Sequence, residues 1–93
     1  ILINNSGGGI FRILPGAKDT KHFHRFFETQ HELSAKQLAK MYKFDYTTAH
    51  NEITLKEQLS NFFSFSEKPK ILEVFTPSEI NDTVLLDYFK FIK

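Results

Sequence analysis

Ninety-three residues suffice for one small domain and no more. Hydrophobic residues at 41% and aromatics at 15% can fill a core, which excludes a disordered tail, and a net charge of +1 gives no electrostatic footprint for nucleic acid or an anionic membrane. The absence of cysteine excludes a disulfide framework and a thiolate zinc site and fits a reducing cytoplasm, and no apolar run approaches the roughly 20 residues that span a bilayer.

The chain begins with Ile1, without the basic start, apolar stretch and small-residue cleavage site of a signal peptide. Ile1-Leu2-Ile3 is a continuous apolar run, the pattern of a strand buried on both faces of a parallel sheet. A chain that starts inside a strand reads as cut from something longer, or as a small protein freed of a tag. Residues 4–9 are expected as loop, with Gly7, Gly8 and Gly9 permitting positive φ and close approach of backbone to a ligand. Pro15-Gly16 marks a turn. From Lys21 to Phe27, the spacing of Phe23, Phe26 and Phe27 predicts a short helix with an apolar face.

Two capping boxes then announce helices. Ser34 with Gln37 opens one carrying Leu38, Met41 and Tyr42; Thr54 with Glu57 opens another carrying Leu55, Leu59, Phe62 and Phe63. Between them FDYTTA (44–49) reads as a short strand, and KILEVFT (70–76), bounded by Pro69 and Pro77, is the clearest strand. Val84, Leu85, Tyr88, Phe89 and Ile92 form a terminal helix stripe with Asn81 or Asp82 as cap. The resulting class is α/β: three strands with flanking helices, in the order β-α-α-β-α-β-α, which argues for βαβ crossovers and a parallel sheet. Three strands make a thin sheet, so further strands are expected upstream.

In open α/β sheets ligands bind beyond the carboxyl ends of strands, and NNSGGG sits at such an end. Asparagine oxygens and loop carbonyls are hard donors suited to Mg²⁺ or Ca²⁺, and a glycine-rich loop can approach a phosphate. An ordinary glycine turn after an asparagine-capped strand is the alternative. Neither a P-loop nor a dinucleotide fingerprint is present. His22, His24 and His31 lie near Glu28 with one i, i+4 pair, but no zinc pattern fixes them, and they read as surface or loop histidines. Ser34 and Thr54 read as caps rather than nucleophiles, KHFHR as a small solvated basic patch, and the phenylalanines as core or, if exposed, as severed interfaces.

The stretch INNSGGGIFRILPGA resembles the C-terminal cofactor domain of the thiamine diphosphate-dependent 2-succinyl-5-enolpyruvyl-6-hydroxy-3-cyclohexene-1-carboxylate synthases. The likeness continues through FFETQHELSAKQLAKMYKFDY, ITLKEQL and KILEVFTPSEINDTVLLDYF, so it covers residues 1–93 in order. The resemblance implies a fragment of a parallel-sheet thiamine diphosphate and Mg²⁺ domain, with the Gly-Asp-Gly half of the metal site upstream. It implies that Asn5 gives a side-chain oxygen and Gly7 a carbonyl to Mg²⁺. It places Gly7, Gly8, Gly9, Ile10 and Phe11 along the cofactor, and Ile10, Phe11 and Leu14 along an apolar substrate wall, where expulsion of CO₂ is favoured away from water.

The activity so implied decarboxylates 2-oxoglutarate and adds the succinyl carbanion equivalent to isochorismate, a transferase step of menaquinone biosynthesis in a cytoplasmic homodimer or homotetramer. No catalytic residue falls in this stretch, and the fragment alone is expected to be inert. Two rivals stand beside it: another thiamine diphosphate decarboxylase or ligase of the acetolactate synthase kind, and a non-enzymatic α/β interaction module.

Overall fold

Lys70–Phe75 lies between two prolines that cannot donate to a sheet ladder, and it forms the central strand of a three-stranded parallel sheet. The computed structural model describes residues 1–93. Its strands are β1 (Leu2–Asn4), β2 (Asp45–Ala49) and β3 (Lys70–Phe75), in the spatial order β1-β3-β2. Leu2 pairs with Glu73 on one side of β3, and Thr48 pairs with the same Glu73 on the other. Helices are α1 (Ile10–Ile13), α2 (Lys36–Met41), α3 (Glu52–Phe62) and α4 (Asn81–Phe91), with one turn of π-helix at Phe23–Phe27. The expected alternation of strands and helices is present, and α1 is an addition inside a stretch read as loop and wall.

The chain divides into two compact units, Ile1–Asn4 with Leu33–Thr76, and Asn5–Glu32 with Pro77–Lys93. The first holds the sheet with α2 and α3 against it, and Ala35, Ala39, Ala49 and Leu72 are its buried apolar side chains. Small alanines let α2 lie close to the sheet. The expected α2 stripe of Leu38, Met41 and Tyr42 is exposed instead, so the packing face of α2 is its alanine face. The second unit holds α1, the π-turn and α4, and Phe23 is its buried apolar residue. Of the expected Phe face only Phe23 is inside; Phe26 is exposed, because bonding from Glu28 N–H to Phe23 O widens the turn.

Four further expectations are corrected. Ile1, Leu2 and Ile3 are exposed, not buried on both faces, since β1 is an edge strand and α2 and α3 pack on β2 and β3 instead. Ser34 does not cap α2: the helix follows Ala35, whose amide is taken by Glu73 Oε2 at 3.0 Å. The box on α3 lies three residues earlier. Asn51 Oδ1 accepts from the Thr54 amide at 2.9 Å and Thr54 Oγ1 accepts from the Asn51 amide at 3.2 Å, so Thr54 is the third helical residue and not the cap. At α4 neither Asn81 nor Asp82 caps. Ile80 precedes the helix, and Asp82 is buried in an ion pair with Lys18 at 2.7 Å.

Candidate functional site

The two asparagines separate in role. Asn4 is buried, and its amide donates to Glu73 Oε1 and to Leu33 O, each at 2.8 Å. Glu73, wholly buried in mid-β3, also accepts from Ala35 N–H and from Tyr46 O–H at 2.5 Å. Burial raises the Glu73 carboxyl, but the donors from Tyr46, Asn4 and Ala35 outweigh it and hold the group below its ordinary value. The Tyr46 hydroxyl is pushed up to about 12 by burial and by donating to that carboxylate.

Asn5 opens the glycine turn. Its Oδ1 accepts from Gly7 N–H at 3.3 Å, which fixes the side chain locally. The left-handed residue here is Ser6, at φ 60°, rather than any of the three glycines. Their use is space. A Cβ on Gly7 would stand 3.0 Å from both the Cγ and the carbonyl oxygen of Glu28, and Gly8 N–H donates to that carbonyl at 2.6 Å. A Cβ on Gly9 would stand 3.0 Å from Asn5 Nδ2. Gly9 then precedes α1, whose first turn closes with Arg12 N–H donating to Gly9 O at 3.1 Å.

Asn5, Gly9, Ile10, Arg12, Asn81 and Asp82 are among the residues that line a cleft of about 370 Å³ in this unit. Three sequence-expected residues thus meet there: Asn5, Gly9 and Ile10. Gly7 is tied to them through the Asn5 oxygen, while Gly7 and Gly8 lie against residue 28. Phe11 packs edge-on against Phe27, with ring centroids 5.5 Å apart. Leu14 is about half exposed, just past α1. The side chain of Asn5 and the carbonyl of Gly7 are hard oxygen donors within one tight turn, which suits part of the six-oxygen shell of Mg²⁺. No three His, Asp or Glu side chains converge as a metal cluster of their own.

Sequence reasoning missed the ionic groups of this unit. Arg12, nearly buried, donates from Nε and Nη2 to Glu28 Oε1 at 3.2 and 2.6 Å, and His24 Nδ1 lies 2.7 Å from Glu28 Oε2. The Arg12 guanidinium also sits 5.1 Å from the centroid of the Phe23 ring. Burial raises the Glu28 carboxyl, yet the contacts from Arg12 and His24 prevail and lower it overall. Lys18 likewise holds Asp82 below the usual carboxylate range against its burial. Only the i, i+4 spacing of His24 and Glu28 was visible along the chain. KHFHR is accordingly not wholly a solvated patch, since His24 binds the buried carboxylate.

No protein-family model matches the chain. Among curated proteins it is similar to the 2-succinyl-5-enolpyruvyl-6-hydroxy-3-cyclohexene-1-carboxylate synthase of Christiangramia forsetii, 53% identical over 93 residues. The synthase of the same name from Flavobacterium psychrophilum is 58% identical over 90 residues, and that from Oceanobacillus iheyensis 43% over 81. These matches cover 100%, 97% and 87% of the chain, respectively. The chain spans 16% of the length of the first two relatives and 14% of the third.

Proposed function

We propose, for a chain that belongs over its whole length to the 2-succinyl-5-enolpyruvyl-6-hydroxy-3-cyclohexene-1-carboxylate synthase family, that residues 5–14 supply part of a thiamine diphosphate and Mg²⁺ site. The chain is then a portion of the C-terminal cofactor domain of a cytoplasmic, homodimeric or homotetrameric transferase of menaquinone biosynthesis. Its substrates are 2-oxoglutarate and isochorismate. The observation that carries this reading is the pairing of Asn5 Oδ1 with Gly7 N–H beside Gly9 and Ile10 on one cleft. Thiamine diphosphate, when bound, supplies a nucleophilic thiazolium carbon able to decarboxylate a 2-oxo acid.

The residues of this chain contribute by position. Asn5 Oδ1, held in place by the turn, and the Gly7 carbonyl would offer two oxygens to the cation, whose remaining ligands would come from outside this chain. Gly8 and Gly9 keep the turn narrow. Ile10, Phe11 and Leu14 exclude water from the reacting groups, and the exposure of Ile10 and Leu14 favours their being covered by other parts of the enzyme.

In the full-length protein, Asn5→Ala should raise the Mg²⁺ and thiamine diphosphate concentrations needed for half activity by about 10- to 100-fold. An unchanged cofactor titration removes Asn5 from the site. Phe11→Ala should lower turnover or substrate affinity with cofactor binding largely retained. An unaltered rate reduces Phe11 to a packing partner of Phe27. Activity with 2-oxoglutarate and none with pyruvate separates this reading from the acetolactate synthase kind.

A further inference from the structure

The glycine turn and α1 are both fastened to one residue, and it is not a glycine. Glu28 meets the turn through its main chain, with its carbonyl accepting from Gly8 N–H at 2.6 Å. Its Cγ lies 3.0 Å from where a Gly7 Cβ would stand. Its carboxylate meets the far end of the same segment by taking two N–H groups of Arg12, and its second oxygen meets His24. Glu28 is 1% exposed and Arg12 has an 8% exposed side chain, so solvent screens the pair little. A buried carboxylate that loses its charge leaves a buried guanidinium without a counter-ion, and the local structure must open to hydrate it.

We infer that Glu28 is a positioning residue for the cofactor turn, setting the conformation of residues 5–12 by gripping Gly8 through its main chain and Arg12 through its carboxylate. The inference rests on the reading of that turn as a cofactor site. Glu28 neither bonds Asn5 nor lines the cleft itself, and it acts through Gly8 and the cleft-lining Arg12 of the segment that carries them.

Two measurements on the full-length protein test it. The first is amide exchange without added cofactor. Glu28→Gln should speed exchange across residues 6–12 by about tenfold while protection in Tyr46–Ala49 and Ile71–Phe75 stays as in wild type. Unchanged exchange in 6–12 overturns the inference. His24→Gln, at an exposed partner of the same carboxylate, guards against a variant that fails to fold. It should give a smaller acceleration at the same amides, and none there overturns the inference too.

The second measurement is a split of kinetic constants. Glu28→Gln should raise the apparent constant for thiamine diphosphate with Mg²⁺ about tenfold, with kcat at saturating cofactor within about twofold of wild type. If Asn5→Ala weakens the cofactor and Glu28→Gln does not, the positioning role fails and the site stands. If neither changes the titration but Glu28→Gln still loosens 6–12, the site reading fails and Glu28 still sets the turn.

Discussion

The side-chain amide of Asn4 donates to Glu73 Oε1 at 2.8 Å, tying the end of β1 to the middle of β3 across two fully or nearly buried groups. Glu73 collects donors from three separate segments: Asn4 on β1, Ala35 before α2 and Tyr46 on β2. A charged acceptor of three donors holds these segments in register, and the parallel ladder then has no choice of alignment.

Replacing Glu73 by Gln puts an amide donor among groups that all donate. The loss should be about 2–3 kcal/mol of unfolding free energy, read from urea denaturation of the full-length protein. Tyr46→Phe should cost about 1–2 kcal/mol, and the double variant should cost less than the sum, since both remove the same contact. Additive losses would show that the two groups act independently.

Acid should find the same carboxylates. Glu28, Glu73 and Asp82 all have lowered folded-state values, so each adds stability above its ordinary value. That stability is lost as pH falls through the lowered values, below about pH 4.5. Tyr46 has the opposite sign of linkage: raised to about 12, it favours the neutral phenol, and its contribution fades as pH rises from 10 toward 12. Through these groups, denaturation midpoints should fall as the pH drops below about 4.5 and again as it rises above 10. Glu73→Gln should flatten the acid limb.

Gly7 and Gly9 should fail differently on substitution by Ala. At Gly7 the new Cβ meets the Glu28 backbone carbonyl, which cannot swing aside, so stability should drop by about 1–3 kcal/mol. At Gly9 it meets the amide nitrogen of the Asn5 side chain, which can rotate. Gly9→Ala should therefore displace Asn5 and weaken cofactor binding while leaving the denaturation midpoint nearly unchanged. Equal midpoint losses in the two variants would contradict this.

Capping gives a local comparison. Asn51→Ala should cost about 1 kcal/mol by freeing the Thr54 amide. Glu57→Ala, at the expected cap partner that the actual box does not use, should stay within about 0.5 kcal/mol. The reverse ranking would return the cap to Thr54.

Strand positions were legible because β3 is bracketed by Pro69 and Pro77, and β2 is short and rich in β-branched residues. Helix starts were less so. Thr54 matches a cap by local pattern, yet Asn51 stands three residues earlier and completes the reciprocal pair with it. At α2 the Ser34 hydroxyl takes only a long bond from Lys36 N–H at 3.4 Å, while a distant carboxylate, Glu73, takes the Ala35 amide, and no local pattern encodes a partner 38 positions away. The same holds for Arg12 with Glu28 and Lys18 with Asp82, whose pairings depend on the folded path of the chain. At the turn, Asn5 and the glycine run stood out by composition, but steric demand from residue 28 could not be read from the glycines alone.

The outer side of β1 has a further consequence. Ile1, Leu2 and Ile3 present an aliphatic rim with one hydrogen-bonding edge unpaired, and the strand carries no lysine, proline or bulge to discourage a newcomer. Concentrated solutions of the 93-residue segment by itself should accordingly accrete through this rim, one copy templating the next, and a lysine at Leu2 should slow such fibril-like growth.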